Sequence, residues 1–334
     1  MKEQFSIYKL HFTTPLHLGD ARDDYSLSLK TVCSDTMYAA LTSCLAKTGK
    51  VIPKNGDLEF TISSLFPFYQ KDEQSEVVYF LPKPLRSILP DIDKVEDAKR
   101  IKKIQWLGIE EFSDYINGNT DIFKETNSIQ GEYLTKKKID KDFISSQISP
   151  RVKVSRSGQE DATPFYMDRI MFKDYSGLYF IMAGAVNLFQ PAIELLQYEG
   201  IGTDRNVGNG LFTITDDEIE IDCPSEHDTD YAVSLSLFIP ESEKQLKSCL
   251  TGEKVGYDVV RRGGWITTSP FNTVRKSAIY AFMHGSVLHL KLSDDIQIKG
   301  KIVDLKPTWN NDVSDVPMHS IFRNGKSFFI PIII

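Results

Sequence analysis

The chain has 334 residues, enough for two domains of ordinary size, and its 41% hydrophobic and 25% charged residues are those of a soluble folded protein. No apolar run approaches the ~20 residues a membrane helix needs, and the 4 Cys and 6 His include no CxxC or HExxH spacing, so neither a bilayer span nor a metal centre is expected. The net charge of −7 speaks against nucleic acid only as an average, because the charge is segregated along the chain. Residues 216–230 hold eight acids and no Lys or Arg. Residues 134–156 hold seven bases against Asp140 and Asp142, and residues 254–276 hold five against Asp258. Phosphate binding follows such local patches rather than the total.

Met1-Lys2-Glu3-Gln4-Phe5 lacks the apolar core of an export signal, so reduced cysteines in the cytoplasm are expected. Phe5 to Thr13 reads as a strand whose two apolar periods, Phe5/Ile7 and Tyr8/Leu10/Phe12, are joined by a slip. Pro15-Leu16-His17-Leu18-Gly19 ends it. A helix opens at Ser34-Asp35-Thr36, with Ser34 or Asp35 as N-cap and Met37, Leu41, Cys44 and Leu45 on one face. Strands follow at Leu58–Ser63 and Val77–Leu81, joined through Phe66-Pro67-Phe68. Asp91–Asn117 predicts one or two charged helices. Thr126–Thr163, polar and basic, predicts a projecting insertion, so the interruption as a whole runs over about 91–163.

Gly177–Met182 is a strand, and a helix from Asn187 to Tyr198 leads into Gly200-Ile201-Gly202-Thr203-Asp204-Arg205-Asn206-Val207-Gly208-Asn209-Gly210. The strand Leu211–Ile214 leads out. Glycines allow close approach and positive φ, and successive backbone N–H groups in such turns bind anions. The helix–loop–strand order is the reverse of the dinucleotide and P-loop motifs, which argues against a nucleotide cofactor. The pattern over residues 1–222 is βαββαβ, an antiparallel sheet with helices on one face. The acidic stretch 216–230 reads as a linker or edge. Residues 223–334 are mostly strand, a second and more degenerate unit: Tyr231–Ile239, a short helix Ser242–Leu250, then Trp265–Thr268, Ser277–Met283, Ser286–Leu292, Gly300–Leu305 and Lys326–Ile333.

Three segments carry candidate chemistry. Arg151-Val152-Lys153-Val154-Ser155-Arg156 alternates along a strand, which places Arg151 and Lys153 on one face, fit either to follow a phosphate backbone or to guard a solvated edge. Arg261-Arg262-Gly263-Gly264-Trp265 offers two guanidinium groups for RNA or a partner, with Trp265 as core. His17 is a turn residue that can also contact RNA, and His17 or His11 can serve as general base.

Together these segments resemble the RAMP superfamily, whose mark is a GxGxxxxxGxG loop before a strand, matched by Gly200, Gly202, Gly208 and Gly210. More closely the chain resembles the Cas5-like RAMP subunit that caps the crRNA 5′ end in type III-A CRISPR (Csm) complexes. The residues that carry this span nearly the whole chain. They include Pro15–Gly19, Ser34–Thr36, Phe80–Leu85, Pro150–Arg156, Gly177–Phe180, Arg261–Trp265, Arg275-Lys276, Gly285–Leu288, Gly300–Asp304 and His319-Ser320. The resemblance implies an α+β fold of two ferredoxin-like (RRM-like) domains, 1–222 and 223–334, with an inserted β-hairpin thumb within about 126–163. It implies an RNA-binding scaffold without catalysis or cofactor. The expected partners are the 5′ handle of the crRNA, the large polymerase-like subunit and the adjacent backbone RAMP subunit. The expected RNA contacts are His17, Lys30, Ser34, Asp35, Arg151, Lys153, Arg156, Gly200, Gly202, Arg205, Gly208, Gly210, Arg261 and Arg262. The alternative from another class is a metal-independent RAMP endoribonuclease that processes repeat RNA. A third is a module whose basic patches dock acidic proteins.

Overall fold

The computed structural model describes residues 1–19, 25–86, 95–154, 161–292, 297–307 and 319–334. In chain order these form β1 (Lys2–Phe12), α1 (Ser34–Lys47), β2 (Phe60–Ile62), β3 (Phe66–Tyr69), β4 (Val78–Pro82), α2 (Val95–Lys103), β5 (Trp106–Gly108) and α3 (Ile109–Ile116). Then come β6 (Ile129–Gln130), β7 (Tyr133–Leu134), β8 (Ile144–Lys153), β9 (Thr163–Phe172), β10 (Gly177–Gly184), α4 (Val186–Glu199) and β11 (Phe212–Asp222). The remainder is β12 (Tyr231–Ser234), α5 (Glu243–Cys249), β13 (Val259–Arg262), β14 (Ile279–Phe282), β15 (Val287–His289), β16 (Gln297–Lys299), β17 (Ile302–Asp304), β18 (Phe322–Asn324) and β19 (Ser327–Pro331). The architecture is mixed α+β with antiparallel sheets.

The main sheet runs β11-β1-β10-β3-β4-β5-β7-β6, with β2 also paired to β10. Every pair in it is antiparallel except β5–β7. Helices α1 and α4 pack together on one face, where the Phe189 ring of α4 lies 4.6 Å from Tyr8. Helix α3 packs against β4, β5 and β11. The register from Lys2↔Asp222 to Phe12↔Phe212 is unbroken, so β1 has no slip. Its two apolar periods arise because both faces of the strand are covered: Phe5 and Ile7 point one way, Tyr8, Leu10 and Phe12 the other.

The acidic stretch is the edge. β11 ends the strand order and carries Asp216, Asp217, Glu218, Glu220 and Asp222, which keep an open edge from pairing with other chains. Lys9 and Asp217 pair at 2.9 Å across to β1.

Two expectations need correction here. Phe66-Pro67-Phe68 is strand β3 rather than a joint; its Phe66 and Phe68 are fully buried, and burial of such aromatic surface outweighs the lost donor of Pro67. The polar insertion is only partly a projection. Ile129, Tyr133, Leu134, Ile139 and Phe143 are buried in the main core, and β6 and β7 extend the sheet. What stands out from the body is the β8–β9 hairpin, paired from Ile144↔Phe172 to Lys153↔Thr163, with Ile148, Val152 and Tyr166 exposed.

The second half centres on the sheet β15-β12-β19-β16. Ser242 caps α5 by accepting from the Gln245 N–H at 3.2 Å. Trp265–Thr268 is irregular rather than strand, held by a bridge between Trp265 and Arg275. Trp265 is half-buried rather than core, with the Arg275 guanidinium 4.9 Å from its ring centre. The two halves share one apolar core: Val233, Leu235, Val287, Phe328, Ile330 and Ile332 belong to the cluster that holds Leu41, Phe66 and Phe180. All four cysteines are buried and none is in a disulfide, and burial pushes Cys44 and Cys249 up to about 11. No helix among the described residues is long and apolar enough to cross a membrane.

Candidate nucleic-acid interface

The helix–loop–strand order places the glycine loop between α4 and β11, folded over the segment that follows β1. Thr203 N–H donates to the His17 carbonyl at 2.9 Å and Gly210 N–H to the Pro15 carbonyl at 2.8 Å. Gly200, Gly202, Gly208 and Gly210 have φ of 70°, 88°, 86° and 73°. Their roles differ. A Cβ on Gly210 would run into the Ile201 carbonyl, so that glycine is needed by the loop's own packing. A Cβ on Gly208 meets nothing within 4 Å, so there the missing side chain leaves open surface.

This narrows the expectation of a cradle built from glycine N–H groups to Gly202 and its neighbours. The N–H groups of Gly200, Gly208 and Gly210 donate to Leu196, Arg205 and Pro15 carbonyls within the protein. The loop's donors without a hydrogen-bond partner among the described residues are the N–H groups of Gly202 and of the turn Asp204-Arg205-Asn206. Asp204 begins this turn at φ 58°, a left-handed conformation that Asp tolerates better than most residues.

The hairpin reaches this turn. Arg151 on β8 lies 3.6 Å from the Asp204 carboxylate, each side chain 30% exposed. Arg205 turns the other way, 3.9 Å from Glu199, which also takes Lys47 of α1. At such distances and exposures both arginines remain available to an anion. Lys153 is exposed further out on β8. Lys30 pairs with Glu132 at 2.9 Å and is half exposed.

The base of the hairpin is rigidly tied. Leu16 and Ile170 exchange backbone hydrogen bonds at 2.9 and 2.8 Å, and Phe12 stacks on Phe172 at 4.7 Å. Asp168 of β9 is the hub: its carboxylate accepts from Ser28 N–H at 3.0 Å and from the Ser146 hydroxyl, while its carbonyl accepts from His17 Nδ1 at 2.6 Å. His17 is therefore a buried strut, 1% exposed, whose side chain does not face an RNA surface or a 2′-hydroxyl. The sequence offered no signal for Asp168, because its partners lie far away along the chain.

The remaining predicted contacts form a different cluster. Ser34 and Asp35 are each 1% exposed. Neither caps α1, whose N-cap residue is Cys33 without a side-chain cap. The Ser34 hydroxyl accepts from Leu237 N–H at 2.9 Å. The Asp35 carboxylate takes two bonds from Arg262, at 2.7 and 2.9 Å, and pairs with Arg323 at 3.0 Å. Ser34, Asp35 and Arg262 thus brace the two halves of the molecule rather than face solvent. Arg261, the next residue on β13, is exposed and opposes the exposed Tyr280. Arg156 lies outside the described residues. Among the described residues no cluster of His, Cys, Asp and Glu is placed to hold a metal ion.

Residues 227–332 match the family model of the CRISPR Csm4 C-terminal domain. A Csm4 protein of Streptococcus thermophilus is 25% identical over 96% of this chain and 98% of its own length. The chain is thus similar to Csm4 proteins over nearly its whole length. A Csm4 protein of Thermococcus onnurineus (strain NA1) is 29% identical over 61% of this chain, and the match spans 63% of that relative's length. Csm4 proteins are Cas5-like RAMP subunits of type III-A Csm complexes. The fold agrees along its whole length. The Csm4 fold in a Csm3–Csm4 subcomplex of the type III-A interference complex superposes with a TM-score of 0.58 at 18% identity, covering 99% of this chain and all of the other. A Csm1–Csm4 cassette in complex with pppApA gives 0.55 at 20% identity, over 99% of both chains.

Proposed function

We propose that this chain is the non-catalytic subunit that holds the repeat-derived 5′ handle of the crRNA in a type III-A effector complex. It would act in the cytoplasm without a cofactor, dock the large polymerase-like subunit and stand beside the first backbone RAMP subunit. The solved Csm4 relatives accompany Csm1 in one structure and Csm3 in another, which supports those two partners. The β8–β9 hairpin is the proposed thumb. The order β11-β1-β10-β3 with α1 and α4 on one face supports a ferredoxin-like reading of the first half, and residues 223–334 are its proposed degenerate counterpart.

The observation that carries the proposal is the Arg151–Asp204 pair. It brings the hairpin and the glycine loop, 53 positions apart by their numbers, onto one basic surface beside the open face of Gly208. A strand lying there meets the free N–H groups of Asp204–Asn206 and three cations, Arg151, Lys153 and Arg205, none fixed by a close buried partner. Such contacts suit a guide handle, because phosphate contacts position a strand without reading its bases.

The test is handle-RNA retention by the assembled complex carrying Arg205→Glu and Gly208→Val. Loss of the guide supports the assignment; unchanged retention removes the loop from the interface.

A further inference from the structure

Glu111 of α3 is a buried acid without a counter-charge among the described residues. It is 4% exposed, yet its carboxylate meets backbone N–H groups alone, that of Lys136 at 2.9 Å and its own, and forms no ion pair. It sits over Gly108, where a Cβ would run into Oε2, so the backbone is shaped to admit it. Burial, the largest influence, raises the carboxyl above its ordinary range. A buried carboxylate without a cation is costly unless something else supplies the charge.

Glu111 lines a cleft of about 570 Å3 between β4, the start of α3 and β11, within the size range of small-ligand sites. Six carboxylates border it, those of Glu76, Glu110, Glu111, Asp217, Glu218 and Glu220, against the ammonium groups of Lys2 and Lys137. Lys137 answers Glu76 at 2.7 Å and Glu110 at 3.5 Å, Lys2 answers Glu220, and Lys9 answers Asp217. Among side chains Glu218 meets only the Gln4 amide, so it and Glu111 are left without a cation among the described residues. One is buried and the other stands on the exposed rim. Val77, Val78, Ile109 and Ile219 give the same cleft apolar walls.

We infer that this cleft binds a linear polyamine, with one ammonium on Glu111, another on Glu218 and the aliphatic stem along the apolar walls. The sign of the ligand follows from the carboxylates, which also turn RNA phosphate away. An extended cation rather than a metal ion follows from their spread, because among the described residues no group of such side chains is gathered to hold a metal. The stem follows from the walls, since aliphatic chains lie on apolar surface while their charged ends reach polar groups. More than one ammonium follows from two carboxylates without a cation, one inside and one at the rim. The site is separate from Gly208 and Arg151 and stands whether or not the glycine loop holds the handle.

The probe is spermidine, added to the full chain at pH 7.5 against KCl of equal ionic strength. It is expected to raise the melting temperature of the wild type by mass action on the folded state. Glutamine serves at a helix N-terminus as glutamate does, so Glu111→Gln keeps the oxygen that the Lys136 N–H needs and removes only the charge. Without ligand it should melt no lower than wild type. It should bind spermidine roughly tenfold more weakly, the worth of one charge-assisted hydrogen bond. Glu218→Gln, on the exposed rim, should weaken binding without touching the fold, and it decides the matter should Glu111→Gln fail to fold. Binding of n-butylamine, which carries one ammonium, at least tenfold weaker than that of spermidine supports a polyamine. Equal binding of the two makes the cleft a seat for a single ammonium, such as a lysine of another protein, and overturns the inference. A spermidine response that is absent, equal in wild type and both variants, or matched by MgCl2 of equal ionic strength also overturns it. Arg151→Glu should leave the spermidine response intact while weakening handle binding, so this assignment and that of the handle fail separately.

Discussion

Arginine serves opposite ends in two regions of this molecule. At the hairpin and glycine loop, Arg151 and Arg205 sit 30% and 42% exposed, 3.6 and 3.9 Å from their acids. Behind α1, Arg262 and Arg323 are 15% and 10% exposed and hold one carboxylate at 2.7 and 3.0 Å. Exposed pairs at long range contribute ~0–1 kcal/mol and give way to a stronger anion. A buried pair is expensive to break, because each removed partner strands the other. The first arginines are free to serve a ligand, whereas the second pair holds the two halves together. Basic character in the sequence does not distinguish them; burial does.

The contrast breaks first at Asp35. Asp35→Ala should cost about 3–5 kcal/mol in denaturant unfolding, since it removes the buried carboxylate that Arg262 and Arg323 share. A loss below about 1 kcal/mol would mean the brace is not structural. Next comes Gly210→Ala, expected to lower the melting temperature clearly because its Cβ meets the Ile201 carbonyl. Gly208→Ala meets nothing and should cost only the ~1–2 kcal/mol of a left-handed backbone. Equal losses at the two positions would erase the distinction between packing glycine and open glycine.

Arg151→Glu should change stability by less than about 1 kcal/mol. It should also lower the salt dependence of handle binding by roughly one unit of slope, as one phosphate contact is removed. A further effect is in pH. Lys276 has a lowered value near 8 in the folded chain and an ordinary one near 10.5 when unfolded. The unfolded chain therefore binds more protons between those values, and this group makes stability rise as pH climbs through that window. Unfolding titrations of Lys276→Met should lack that rise.

Much of the fold was legible in the chain. The alternation in β1, the 3–4 spacing in α1 and the Ser242 cap of α5 are local signals, and each element formed where its pattern lies. The glycine loop was legible as a loop between α4 and β11, because four glycines at fixed spacing after a helix pattern and before a strand pattern break both. What was not legible was long-range. Ser34 and Asp35 look like caps because capping is a local habit of those residues. Nothing near them announces that Leu237 and Arg262 will arrive from the other half of the chain. His17 read as a turn or a base, and only the fold shows the Asp168 carbonyl that fixes it. The insertion seemed to project because its charges are frequent and its core residues sparse, yet Tyr133 and Phe143 suffice to seat its first half on the sheet.

The account turns on the claim that hairpin and loop form one RNA surface. The most direct measurement is the affinity of the assembled complex for handle RNA when Arg151→Glu and Arg205→Glu are combined, with the melting curve recorded alongside. The account predicts an unchanged melting temperature and a loss of affinity of about a hundredfold, two charge-assisted contacts at roughly tenfold each. Wild-type affinity in that intact double variant would contradict it.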